Sequence, residues 1–242
     1  MLTTAMILAA GRGERMRPLT DHLPKPLLEV GGKALIAWHL EHLARAGFKR
    51  VVINHAWLGH KIEEALGDGR LWGLSIFYSP ETAALETAGG IAKALPLLGK
   101  DPFLVINGDI FCNFDLARTH SIAAQFQLHG LSSSATQGWC IMVPNAEHHP
   151  QGDFAVLHGS LVSPRPEQGL LGLTFSGIAV YRPSFFDPVP KGGKMPLRPL
   201  FEAGIVNKTL NAERFDGLWL DIGTPQRLAA LDRELRQDPN RA

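Results

Sequence analysis

Short apolar runs alternate with amphipathic stretches along the first 130 residues, and that alternation admits few architectures. Residues 4–9, 50–54, 74–78 and 103–107 read as strands, apolar or β-branched with little in–out alternation. Residues 35–46, 58–66, 87–98 and 116–128 read as helices; Gly47 stops the first, and Gly89-Gly90 lies near the start of the third. Strands that are apolar on both faces must be covered on both faces, which predicts a mostly parallel sheet between two layers of helices. Ligands of such sheets bind beyond the carboxyl ends of the strands. The glycine loop after the first strand and Gly108-Asp109 after the fourth should therefore face one cleft.

The second half reads differently. Residues 139–143, 154–157 and 173–181 look like strands separated by Pro- and Gly-rich connections, as in an antiparallel extension rather than further crossover units. Thr224 and Pro225 open a last helix, 226–236, as N-cap and first helical residue, and the tail 238–242 should fray. The expected fold is α/β, a Rossmann-like and mostly parallel sheet with a small antiparallel extension, in a single domain over 1–242. With 45% hydrophobic and 19% charged residues the chain has an ordinary globular composition. Cys112 and Cys140 lie in no C-x-x-C or Cys/His metal spacing, and they fit a reduced, cytoplasmic protein. No stretch approaches the ~18 apolar residues of a membrane span, and the N-terminal run lacks the basic flank of a signal peptide.

Function is concentrated in residues 6–28, MILAAGRGERMRPLTDHLPKPLL. A buried strand empties into Gly11-Arg12-Gly13, followed by Arg15, Arg17, and Lys25 between Pro24 and Pro26. Glycines let the backbone approach a ligand, and bare N–H groups cradle phosphate. The lysine comes too late for a Walker A loop, G-x-x-x-x-G-K-S/T, and Met16 stands where a dinucleotide fingerprint needs its third glycine. Net charge is +1, with positive charge gathered at this loop. That pattern suits a small polyanion such as a nucleoside triphosphate and argues against a nucleic-acid partner.

The strings LAAGRGERMRPLT, PKPLLEVGGKALI, LETAGGI, FLVINGDIF, FSGIAVY and WLDIGTPQRL resemble the sugar-1-phosphate nucleotidyltransferases. The resemblance implies an enzyme that joins a sugar 1-phosphate to a nucleoside triphosphate and releases pyrophosphate. Both substrates are small anions, so positioning and charge cancellation carry the catalysis. By the same resemblance Arg15 clamps the α-phosphate and pyrophosphate, and Lys25 bridges the attacking and attacked phosphates. Asp109 and Asp221 would hold Mg2+, an oxygen-loving ion bound by one or two carboxylates plus phosphates. Ala9, Ala10, Gly11, Arg12 and Gly13, with Glu81, Ala88 and Gly89 across the cleft, would bind the nucleotide. Asn107, Gly152, Asp153, Phe175 and Gly177 would bind the sugar. About 1–130 then forms the nucleotide half and about 131–242 the sugar half.

Three departures from the family pattern bear on specificity. Glu86 replaces a glycine beside the base. Glu81 stands where a glutamine is frequent, and it could accept from uracil N3–H or from two guanine donors. Residues 163–167 lack the usual Glu-Lys pair, which suggests a different, anionic sugar. His148 and His149, without a third ligand in view, read as structural. The strings NAEHHPQGDF and LETAGGI resemble the members of cell-wall recycling that take UTP and N-acetylmuramic acid 1-phosphate. Transfer of guanylate to mannose 1-phosphate, a glucose-1-phosphate transferase, and a non-catalytic nucleotide-sugar sensor are the alternatives. No hexapeptide array is present, so no fused acetyltransferase domain is expected.

Overall fold

The computed structural model describes residues 2–128, 135–163 and 169–238. The expectations for a missing Glu-Lys pair at 163–167 and for a frayed tail fall largely outside them.

In chain order the elements are β1 (Thr4–Leu8), β2 (Glu29–Val30), β3 (Lys33–Ala34), α1 (Leu35–Arg45), β4 (Arg50–His55), α2 (Gly59–Leu66), β5 (Ser75–Pro80) and α3 (Glu86–Leu98). They continue with β6 (Phe103–Asn107), β7 (Ile110–Cys112), α4 (Arg118–Leu128), β8 (Gly138–Val143), β9 (Ala155–Leu157), β10 (Ser160–Val162) and β11 (Thr174–Tyr181). The chain closes with α5 (Arg198–Val206), β12 (Leu210–Arg214), β13 (Trp219–Asp221) and α6 (Pro225–Gln237).

A nine-stranded sheet runs in the order β5-β4-β1-β6-β11-β8-β12-β10-β9. The first four strands are parallel, and β11 pairs antiparallel with both β6 and β8. The antiparallel strands of the second half therefore extend the same sheet. One pair among them, β12 with β8, is parallel. Alternate residues of each central strand enter different cores, because successive side chains point to opposite faces. Ala5, Ile7, Ile53 and Ile106 pack with Ile36 and Leu40 of α1, Ile62 of α2 and Phe126 of α4. Met6, Val52, Val105 and Tyr181 pack with Ile91 of α3 and Phe201 of α5. Helices thus cover both faces. A third cluster seats Leu228, Leu231 and Leu235 of α6 on Val30, Phe111 and Ile222. The start of α6 is as expected: the Thr224 side chain accepts the Arg227 N–H, with Pro225 at the first turn. Among the described residues no helix is long and apolar enough to cross a membrane.

The register prepares the cleft. Leu8, the last residue of β1, is flanked by Asn54 of β4 and Asn107 of β6, and Asn54 is paired in turn with Ser79 of β5. Four parallel strands thus end in one row carrying three polar side chains. Beyond that row β7 pairs with β13, setting Asp221 opposite Ile110, while the Ile222 N–H donates to the Asp109 carbonyl at 2.8 Å. The two aspartates come from distant parts of the chain to one edge.

Candidate active site

A cavity of about 330 Å³ opens at this edge, lined by Leu8–Gly11, Lys25, Pro26, Asn54, Glu81, Ala84, Glu86, Thr87 and 107–109. Its inner end is a closed hydrogen-bond chain. The Ala9 N–H donates to Asn54 Oδ1 at 3.0 Å, and Asn54 Nδ2 donates to Glu81 Oε1 at 2.7 Å. Glu81 Oε2 then accepts the Leu85 N–H at 2.9 Å. Both Asn54 and Glu81 are buried. Each oxygen of Glu81 already holds one donor, so this carboxylate ties β4, the glycine loop and the start of α3 together as well as facing the cavity. Asn54 escaped the sequence reading. The signal was present in the shared ending of RVVIN and FLVIN, two apolar strands that each stop on asparagine.

Ala88 and Gly89 sit behind the cavity wall rather than in it. Ala88 is fully buried, and the N–H groups of both donate to the Met195 carbonyl at 3.0 and 3.1 Å. The start of α3 is thus capped by residues 193–195, and Ala84, Glu86 and Thr87 line the cavity instead. Glu86 adopts φ 61°, the left-handed region.

The four cations of the loop separate into different tasks. Arg12 does not face the cavity. Its guanidinium lies 3.8 Å from the centroid of the Trp57 ring and donates to the Thr20 carbonyl at 2.8 Å and to Asp21 at 3.4 Å. Arg17 pairs with Asp21 at 2.7 Å. Both hold the loop in shape, and Arg12, expected at the nucleotide, is engaged here by Trp57, Thr20 and Asp21. Gly13, at φ 70°, lets the chain turn where a side chain would meet Thr20, and the Thr20 hydroxyl donates to its carbonyl. Arg15 is exposed and has no hydrogen-bond or ion-pair partner among the described residues. A smaller recess joins it to Gly11, Gly13, Lys25, Asp109 and Gly223. Lys25, buried on a short 3-10 turn, reaches Asp109 Oδ2 with its ammonium at 2.8 Å. A solvated loop lysine is excluded by that burial.

Asp221 is held from two sides. His148 Nε2 lies 3.2 Å from its Oδ1, and the Arg227 guanidinium donates to its Oδ2. A Cβ on Gly223 would meet Asp221 Oδ2 at 3.0 Å, Arg227 Nη1 at 3.2 Å and Arg15 Nη2 at 3.4 Å, so the three groups converge there. Neither His148 nor Arg227 was legible as a site residue; one lies in a loop and the other reads as an ordinary helix arginine. Asp221 does not cap α6, since Thr224 does.

Asp109 keeps one carboxylate oxygen without a partner among the described residues, and its side chain is 45% exposed. Among those residues no group of three or more His, Cys, Asp or Glu is gathered for a metal. Two carboxylates, Asp109 just before β7 and Asp221 on its partner strand β13, fit magnesium, whose remaining ligands are characteristically phosphate oxygens and waters.

Of the sugar-side residues, Asn107 lines the cavity, and Gly177 packs on its side chain at φ 81°. A Cβ there would lie 2.6 Å from the Asn107 amide, and the register of β11 shifts at this point. Asp153 binds His149 at 3.2 Å and accepts the Phe175 N–H at 2.9 Å. Gly152 packs against Leu173 and Asn145. The Phe175 ring stands edge-on to Phe201, centroids 5.2 Å apart. Gly152, Asp153, Phe175 and Gly177 lie outside the cavity lining, and the first three form a braced neighbouring unit.

Beneath Asp109, His39 is buried. Desolvation lowers its pKa to about 4, with repulsion from His42 adding to the effect and Asp109 opposing it. Burial pushes the Cys112 thiol up to about 12, and both cysteines are free.

An α/β sheet with a glycine loop, a buried lysine and two aspartates brought to its carboxyl edge defines a nucleotide-transferring class of enzyme. Residues 4–149 match the nucleotidyl transferase family, and the chain belongs to it. It is 52% identical over 93% of its length to the N-acetylmuramate alpha-1-phosphate uridylyltransferase of Neisseria meningitidis, covering 94% of that protein. A mannose-1-phosphate guanyltransferase of Schizosaccharomyces pombe is 32% identical over 92% of this chain and 61% of its own. A Bacillus anthracis crystal structure assigned as a glucose-1-phosphate thymidylyltransferase, holding a sucrose, superposes with a TM-score of 0.82 at 20% identity. That superposition covers 98% of this chain and 96% of the other.

Proposed function

We propose that the protein is a uridylyltransferase that joins N-acetylmuramic acid 1-phosphate to UTP, releasing pyrophosphate. The observation that carries the substrate pair is the 52% identity over 93% of the chain to a uridylyltransferase of that sugar. The site supports the chemistry independently. In-line attack of one phosphate on another needs two anions brought together, and Lys25 lines the cavity with its charge already oriented by Asp109. When the triphosphate enters, Lys25 exchanges a carboxylate for phosphate oxygens and lowers the repulsion between attacking and attacked groups. Arg15, unpaired and exposed, closes on the departing pyrophosphate by a bidentate contact. Ala10 and Gly11 give the base a flat backbone to lie against, and a Cβ at Gly11 would occupy open space in the cavity. Asp109 and Asp221 would hold a magnesium ion, which when bound neutralises phosphate charge. Asn107, braced by Gly177, and the Gly152–Asp153–Phe175 unit form the sugar side.

The two halves, about 1–130 and 131–242, act as one domain in this reading, with the site between them. UTP is a cytoplasmic metabolite, and the two free, buried cysteines suit a reducing compartment. A matrix of four nucleoside triphosphates against several sugar 1-phosphates, read by pyrophosphate release, tests the proposal. UTP with N-acetylmuramic acid 1-phosphate is expected to be the best pair. Preference for GTP with mannose 1-phosphate would replace it with the guanylyltransferase reading, and absence of pyrophosphate release from any pair would make the protein a sensor.

A further inference from the structure

Glu86 occupies a backbone conformation that disfavours it. Its φ of 61° is a left-handed value that costs an L side chain energy and that glycine adopts freely. Little in the surrounding structure compensates. The carboxylate meets Lys194 at 3.5 Å, with the two side chains 48% and 66% exposed. Exposed pairs of this kind contribute little. The first turn of α3 does not need the carboxylate as a cap, because the Met195 carbonyl already accepts the Ala88 and Gly89 N–H groups. Strain held without local return marks positions where function retains a residue. Glu86 also lines the cavity, together with Ala9 to Gly11. The cavity, about 330 Å³, is at the small end of the ~300–1,000 Å³ usual for ligand pockets. A glycine at this position would leave the wall without a side chain.

We infer that Glu86 is a specificity-determining residue whose bulk restricts the base site to a pyrimidine. Lys194 lies beside the side chain, and the Met195 carbonyl fixes the turn that carries it. The strain is the stability given up for a narrower pocket. Bulk rather than charge does the selecting, since a carboxylate repels the triphosphate of every nucleotide alike. The inference rests on the uridylyl-transfer reading and names the residue that enforces its base preference.

The test is calorimetric binding of UTP and GTP, in magnesium, to the wild type, Glu86→Gly and Glu86→Gln, with a melting curve for each. Binding alone is measured, so the sugar does not enter. The wild type is expected to prefer UTP. Glu86→Gly should shrink the ratio of the two dissociation constants by about tenfold or more, the scale on which apolar pocket shape discriminates, while its Tm stays level or rises. Glu86→Gln, similar in size and uncharged, should keep the ratio. An unchanged ratio in Glu86→Gly overturns the inference and leaves uridylyl transfer standing. So does a ratio lost equally in Glu86→Gln, which would assign selection to charge. A markedly lower Tm in Glu86→Gly removes the strain on which the inference stands. A wild type that prefers GTP overturns the uridylyl-transfer reading itself.

Discussion

The two ends of the cleft are built on opposite plans. At the base end, Ala9, Asn54, Glu81 and Leu85 form a buried chain of hydrogen bonds that is complete without a ligand. At the phosphate end, Lys25 is paired with Asp109, and Asp221 with Arg227 and His148, while Arg15 stands free. The base end supplies shape, held by N–H donors that occupy both oxygens of the buried Glu81 carboxylate. The phosphate end must accept several negative charges. Its own charges neutralise one another until substrate exchanges them, since an isolated charge in a partly buried site is costly.

If this contrast is right, changes at the phosphate end should remove rate and leave the fold, whereas changes at the base end should weaken both. Lys25→Ala is the largest expected effect, a loss of ~10²–10³ in kcat with kcat/KM falling in parallel. Lys25→Arg should not restore it, because a planar fork cannot replace a compact ammonium. Arg15→Ala should lose a comparable factor in kcat/KM, but with a raised KM for UTP and an unchanged melting curve. Arg12→Ala supplies the counterpart: its stack on Trp57 and bonds to Thr20 and Asp21 predict a lower Tm first. Steady-state kinetics with both substrates varied, beside melting curves, would collapse the distinction if Arg12→Ala and Arg15→Ala behaved alike.

Next in size is the acid response. His39 takes up a proton at about pH 4 in the fold and near 6.5 when unfolded. The unfolded chain therefore binds more protons in that window, and stability, full above pH 6.5, falls as pH drops toward 4, by roughly 3 kcal/mol. His42 shifts in the same direction, so it contributes to the same loss. Urea unfolding at pH 7 and 4.5 should show the loss, and His39→Leu should remove the larger part of it. The smallest effect sharpens the base end. Glu81→Ala orphans Asn54 Nδ2 and the Leu85 N–H, and about 1–3 kcal/mol of stability should go with them. A Glu81→Ala protein of wild-type stability and impaired turnover would place Glu81 with the phosphate-end residues and dissolve the contrast.

What the sequence determined lies within short windows. Apolar runs and helical periodicity predicted the parallel strands and their helices, because burial of one or both faces leaves a local pattern. The glycine loop, Lys25 between prolines, and aspartates ending apolar runs were readable for the same reason. Tertiary structure decided what depends on distant partners. Lys25 and Asp109 stand 84 positions apart, and no window shows that they touch. β12, with the mixed sequence LNAER, becomes a strand because β8 and β10 offer it an edge on each side. Helix α5 lies where the sequence pattern suggested no element at all. Four neighbouring cations look equivalent along the chain, yet Trp57, Asp21 and Asp109 claim three of them and leave Arg15 free. Residue type states what a side chain can bind; which group it meets is set by the fold, since hydrogen bonds and ion pairs act over a few ångströms of space regardless of separation in sequence.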